Sequence, residues 1–255
     1  MHSAAIYEYP LNERIRNFMR LENAFAQIAH FAARNEIWDN QASLLVLLEV
    51  LSIMDRYDIK NEIIKELDRN ISALNTFIDA PIMHNKLAQT LDELNTHVQA
   101  IQKIDGKVSK SLRDDDLLNT MRLRTALVAG VNNFEIPSYY YWLQQPDNIR
   151  QAQLDEWLAD SIPIADAISL LLELIRDSAD FTPRLAESGF FQTPLMGNQS
   201  YQMLRIVLPI DSTCFPETSG NKHRISVRFL TYANTKQRPQ QVSSNVDFNL
   251  SCCGI

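Results

Sequence analysis

Three kinds of side chain in this sequence could carry chemistry: a run of acids, a pair of adjacent thiols, and a row of cations. The acids are Asp114, Asp115 and Asp116 in "RDDDLL". Carboxylates bind a metal together only when they converge, and consecutive residues fan out around a helix. The run fits an acidic helix N-terminus better, where carboxylates cap orphan amides and suit the dipole. The thiols are Cys252 and Cys253, with Cys214 as the remaining cysteine. An odd count with two adjacent is no disulfide framework, and structural thiols in a reduced protein compete with a redox or metal pair. His2, His30, His84, His97 and His223 are far apart in the chain. There is no H-E-x-x-H, no C-x-x-C, no glycine-rich phosphate loop and no G-x-S-x-G. No catalytic residue, metal site or cofactor is expected.

The cations have more pattern. In "GNKHRISVRFLTY" (220–232), read as a strand, Lys222, Arg224, Ser226 and Arg228 share one side, and Ile225, Val227 and Phe229 the other. Arg16 and Arg20 are spaced i, i+4 in a helical stretch, where like charges repel unless an anion is near. The chain as a whole is acidic, with a formal charge of -7. Any role in binding anions must therefore come from a local patch. Two readings of the strand row compete: a solvated sheet face whose cations discourage aggregation, and a groove for an anionic peptide or polymer.

The elements that must position these residues read as α+β, helices first and strands later. From Leu11 to Ala32, apolar residues recur at Ile15, Phe18, Leu21, Phe25 and Ile28, one face of a helix opened by Asn12 or Tyr9. A second helix, from about Gln41 to Arg56, is apolar nearly all round and is expected to be central. A third starts near Lys60 and ends before Pro81. Leu87, Leu91, Leu94, Val98 and Ile101 form a short heptad seam, expected in an antiparallel helix pair. A short helix begins near Asp114. The stretch "TALVAGVNNFEIP" is expected to be a strand, and "SYYYWLQQP" one or two helical turns that pack in the core or form a recognition surface. A long helix from Gln153 to Ser178 should kink or split at Pro163.

After Pro183 come strands: "GFFQTPLM", "YQMLRIVLP", "HRISVRFLTY" and "VDFNLSCC", with "GNQS", "ETSGNK" and "ANTKQRPQQ" read as turns and loops. The expected division is a helical domain over 1–125 and 137–180, and a discontinuous antiparallel β domain over 126–136 and 181–255. The apolar runs "LLVLLEVL" and "ISLLLELI" are too short for a membrane span. The N-terminus lacks the apolar core of a signal peptide.

Six blocks then carry a likeness: "YEYPLNERIRNFMRLE" (7–22), "KELDRN" (65–70), "FEIPSYYYWLQQP" (134–146), "LIRDSADF" (174–181), "SGNKHRISVRF" (219–229) and "VDFNLSCC" (246–253). In order and over nearly the whole chain, they resemble the ZapD family, the Z-ring-associated D proteins of bacterial cell division. The resemblance implies a non-enzymatic, cytoplasmic homodimer recruited to the midcell division ring. It implies binding to the acidic C-terminal tail of the tubulin-like GTPase FtsZ and cross-linking of FtsZ filaments during septation. By the same resemblance, Arg16, Arg20 and Arg56 in the helical part and Arg224 and Arg228 on the strand contact that partner. Strand geometry adds Lys222 and Arg205. Asp116 and Tyr140 depart from the pattern of some relatives and are not counted as contacts. The competing expectation is a nucleic-acid-associated protein using the same cations. The net acidity and the lack of an aromatic within the basic row weigh against it.

Overall fold

The computed structural model describes residues 4–34, 36–76, 84–106, 110–125, 131–132, 134–195, 200–221, 223–232 and 237–254. It is α+β, with helices through the middle of the chain and two antiparallel sheets. The chain divides into two compact units: Met1–Arg16 with Leu172–Ile255, and Asn17–Leu171.

The first unit is built on strands. Ala4–Pro10 (β1), Thr182–Ala186 (β2), Tyr201–Pro209 (β4) and Val246–Gly254 (β8) form one four-stranded sheet in the order β1-β4-β8-β2. Phe190–Pro194 (β3), Phe215–Gly220 (β5), Arg224–Thr231 (β6) and Gln240–Gln241 (β7) form the other, in the order β3-β6-β5, with β7 pairing the end of β6. Leu204, Ile206, Leu208, Phe248 and Leu250 of the first sheet share one buried cluster with Ile225, Val227 and Phe229 of the second. The ring of Phe248 lies 5.0 Å from Phe229 and 5.2 Å from Phe191, so the sheets pack face to face. The end strands of both sheet orders, β1, β2, β3 and β5, each contain a proline (Pro10, Pro183, Pro194, Pro216), while β6 and β8 contain none and β4 has one only at its last position. Proline has no amide to donate to a ladder, which confines it to edges and ends.

The strands expected at β3, β4, β6 and β8 are present. β1, β2, β5 and the two-residue β7 are additions. β1 precedes the first expected helix, within the 1–125 span expected to be helical, and β5 takes in most of "ETSGNK", which reads as a turn. The strand expected over 126–136 lies partly outside the described residues, which omit 126–130 and 133; residues 131–132 and 134–136 form bend and turn.

The second unit is helical. Glu13–Ala32 (α1) begins in the first unit and continues into the second from Asn17, and Asn12 opens it by accepting from the Ile15 amide at 2.9 Å. Ile37–Arg56 (α2) buries Leu44, Leu47, Val50 and Leu51, as its apolar composition requires. α2 is also long and apolar enough to cross a membrane by length and composition alone, and half of it is buried within the fold. Ile59–Asn75 (α3) starts on the Asp58 side-chain cap. Lys60 near its start donates to the carbonyl of Ile104, just past the end of His84–Gln102 (α4), so the two helices run antiparallel. Leu94 and Ile101 of the heptad seam are fully buried.

The acid run is divided by function. Asp114 ends Lys110–Asp114 (α5), Asp115 caps Asp116–Arg124 (α6) through the Leu118 amide at 2.9 Å, and Asp116 is the first residue of α6. The other oxygen of Asp115 accepts from the Trp157 indole at 2.9 Å. Pro137–Leu143 (α7) resolves the aromatic run. Tyr139 and Trp142 are buried, while Tyr140 and Tyr141 are exposed. The long helix expected at the end splits into Asp147–Ala159 (α8) and Ile162–Asp177 (α9), with Pro163 in the first turn of α9, where a missing amide costs nothing.

Candidate functional site

β6 is held on both sides. β3 pairs it from Phe190↔Arg228 to Pro194↔Arg224, and β5 from Phe215↔Leu230 to Gly220↔Ile225. Its inner residues Ile225, Val227 and Phe229 are fully buried. Arg224 and Arg228 therefore stand exposed on the outer face, two strand positions on either side of Ser226. The turn before β6 is tied by Asn221, whose Oδ1 accepts from the amides of His223 at 2.9 Å and Arg224 at 3.2 Å. Lys222 lies outside the described residues.

Cross-strand register decides what flanks the row. Arg228 sits between Phe190 on β3 and Glu217 on β5. Facing positions on neighbouring strands share a face, so Glu217 is the acid closest in register to the row. Among the described residues neither Arg224 nor Arg228 forms an ion pair. Beyond Arg228 the same face turns apolar. Leu230 is opposite Phe215, and the Phe215 ring stacks on exposed Tyr232 at 5.4 Å and 28°. The face thus offers cations at one end and aromatic surface at the other. The cations were legible in the alternation of "HRISVRF". The aromatic end was not, because Phe190 and Phe215 reach it only through pairing with β6.

Arg205 is not brought to this row. It lies on β4 in the other sheet, on that sheet's outer side, directly opposite Glu8 on β1. Its Nε donates to Glu8 Oε1 at 3.1 Å and its Nη1 to the Arg176 carbonyl at 3.0 Å, and its guanidinium lies 5.1 Å from the centre of the Phe181 ring. Arg176 at the end of α9 grips the same Glu8 carboxylate through Nε and Nη2, both at 2.9 Å. Strand alternation in β4 predicted an outward cation. Only long-range pairing placed Glu8 under it.

Of the helical cations, Arg16 donates to Glu13 at 3.1 Å and covers the Tyr9 ring at 5.7 Å. Arg20 donates to Asn17 at 3.2 Å. Arg56, exposed in the last turn of α2, lines a cavity of about 420 Å³ with Leu48, Ser52, Asp55, Arg122 and Thr125. Arg122, near the end of α6, shares this cavity with Arg56 across sixty-odd residues of sequence, a proximity with no local signal in the chain.

The cysteines part company. Cys252 packs against the core between the sheets, while Cys253 points to the opposite side of β8, where its thiol donates to the Arg176 carbonyl at 3.8 Å. Burial pushes both thiols up from their ordinary value. Among the described residues, no group of three or more His, Cys, Asp or Glu side chains is placed to hold a metal ion.

Comparison with known proteins places these features in a family. The model of the ZapD family, described as a cell division protein, matches residues 19–228. A protein of Methylococcus capsulatus named cell division protein ZapD is 38% identical over 258 residues, covering 99% of both chains. A protein of the same name from Aromatoleum aromaticum is 36% identical over 250 residues, 98% of this chain and 97% of that one. One from an Azoarcus species is 34% identical over 250 residues, 98% and 99% respectively.

Proposed function

From the premise that this chain belongs to the ZapD family of cell division proteins, we propose that it binds the acidic C-terminal tail of FtsZ and cross-links FtsZ filaments at the division ring. The observation that carries the reading is the outer face of β6. Two exposed arginines there have no ion-pair partner among the described residues, on a strand whose other face is fully buried. Arginine binds carboxylates in a bidentate fork, so an acidic peptide is a fitting occupant. Prolines in β3 and β5, the end strands of this sheet's order, disfavour simple strand addition, so the peptide lies across the face rather than along an edge. Its acidic residues meet Arg224 and Arg228, and its apolar residues meet Phe190, Phe215 and Tyr232.

Cross-linking needs two such surfaces in one particle, which a symmetric homodimer supplies by repetition. Two weak sites on one particle gain avidity along a polymer. Arg16, Arg20 and Arg56 add cations in the helical part. Arg205, held by Glu8, supports the sheet. The working location that follows is the cytoplasm, at midcell.

Co-sedimentation with assembled FtsZ tests the proposal. Arg224→Glu/Arg228→Glu, with an unchanged melting curve, is expected to weaken binding about tenfold or more and to abolish bundling. Undiminished bundling by that variant would remove the strand face from the mechanism.

A further inference from the structure

We infer that the helical unit carries a separate phosphate-binding site where α2, α5 and α6 meet. Two cavities are lined by Arg122. One, of about 520 Å³, is also lined by Lys110, Arg113, Asp114 and Asn119. The other, of about 420 Å³, is lined by Leu48, Ser52, Asp55, Arg56 and Thr125. Four cations thus face two acids in a chain that is acidic overall. One of those acids, Asp55, is already matched to Arg113 at 3.5 Å.

Arg122 is the centre of the arrangement. Its Nη2 donates to Asn119 Oδ1 at 2.9 Å, which fixes the plane of the guanidinium. Its Nε is buried and has no hydrogen-bond partner among the described residues. That nitrogen is closed to solvent, so an oxyanion would meet the other lining groups of Arg122, Lys110, Arg113 and Arg56 rather than it. Thr125 donates to the Arg122 carbonyl at 2.8 Å and closes the helix end, so the arginine rests on a capped element. Arg56 is exposed and has no ion-pair partner among the described residues, leaving its fork available. The local excess of about two positive charges matches a phosphate dianion, whose oxygens accept from several guanidinium groups at once. A single carboxylate would leave the excess half compensated. The site shares Arg56 with the tail-binding reading and otherwise stands apart from it, on different residues and for a different ligand.

Isothermal titration of the full chain with inorganic phosphate and with pyrophosphate, in low-chloride buffer, tests this without FtsZ. Saturable binding of one equivalent per chain is expected, tighter for pyrophosphate. Arg122→Gln should weaken it about tenfold, as loss of a charged hydrogen-bonding partner does. Arg56→Gln, at an exposed position that does not threaten folding, should weaken it about threefold. Arg224→Glu/Arg228→Glu should bind phosphate as the natural chain does. Absence of saturable heat, or equal binding by the Arg122→Gln and Arg56→Gln variants, overturns the proposal. Equal affinity for malonate also overturns it, because the site would then select carboxylates.

Discussion

Arg224 and Arg205 are the same side chain on inner strands of facing sheets, and their neighbours give them opposite circumstances. Arg224 faces water, whereas Arg205, 15% exposed, is spent on Glu8. What separates them is which residue stands across the ladder. Tyr139 shows the same dependence on surroundings. It is fully buried, its hydroxyl finds no acceptor among the described residues, and burial pushes its pKa from 10.0 to about 12. The native state therefore holds the neutral phenol. Its contribution to stability is complete below pH 10, where the unfolded tyrosine is also neutral, and is lost as pH rises from 10 toward 12. Tyr139→Phe keeps the ring and removes the orphan hydroxyl, so it should stabilise the protein by about 1 kcal/mol at pH 7.5. It should also remove about 1 kcal/mol of the alkaline loss at pH 11. Urea melts of both proteins at the two pH values measure this. A variant clearly less stable at pH 7.5 would mean that the hydroxyl is satisfied.

At the scale of elements, the site depends on a turn. Ser188 and Gly189 link β2 of one sheet to β3 of the other, both with positive φ, at 49° and 70°. The Gly189 carbonyl accepts from the Phe229 amide at 2.8 Å, so the turn fixes how β3 meets β6. A Cβ at position 189 would lie 2.4 Å from the Val242 carbonyl oxygen, a backbone atom with little room to yield. Gly189→Ala should therefore cost about 2–4 kcal/mol, from left-handed strain plus the clash. Gly106 has a similar φ of 68° but no atom of the described residues within 4 Å of its would-be Cβ. Gly106→Ala should cost only the strain, about 1 kcal/mol. Thermal melts of the two variants compare the costs, and equal losses would show that the contact with Val242 is relieved by movement. In the sequence Gly189 heads the expected strand "GFFQTPLM", and the Val242 carbonyl, more than fifty residues away, gave no local sign of the turn.

For the whole molecule, the balance of charge matters more than any one pair. On the proposed function, a chain of formal charge -7 approaching an acidic tail is repelled at long range and attracted only at its basic patches. Exposed pairs contribute about 0–1 kcal/mol each, so the proposed cross-linking would need several of them together and two copies of the site in one particle. Bundling of FtsZ should fall several-fold between about 0.05 and 0.3 M salt, as the screening length shortens from about 14 Å to about 6 Å. Light scattering against salt concentration reads this directly. Bundling that ignored salt would point to apolar contacts as the main source of affinity.

The sequence by itself determined much of this protein. The 3.6-residue periodicity of Ile15, Phe18, Leu21 and Ile28 specified α1, and all four are buried. Alternation in "HRISVRF" and "VDFNLSCC" specified which side chains of β6 and β8 turn inward, and the six quoted blocks carried the family. These are local signals, because the period of a helix or strand is written in neighbouring residues. Tertiary structure alone decided the rest. β1 became a strand because β4, some two hundred residues later, offered it a ladder. Arg205 and Glu8 became partners by that same register. Phe190 and Phe215 joined the cationic row through β6, and Arg122 met Arg56 only when α6 packed beside α2. Pairing between distant segments has no period along the chain, so the surroundings of each arginine were settled only when those segments met.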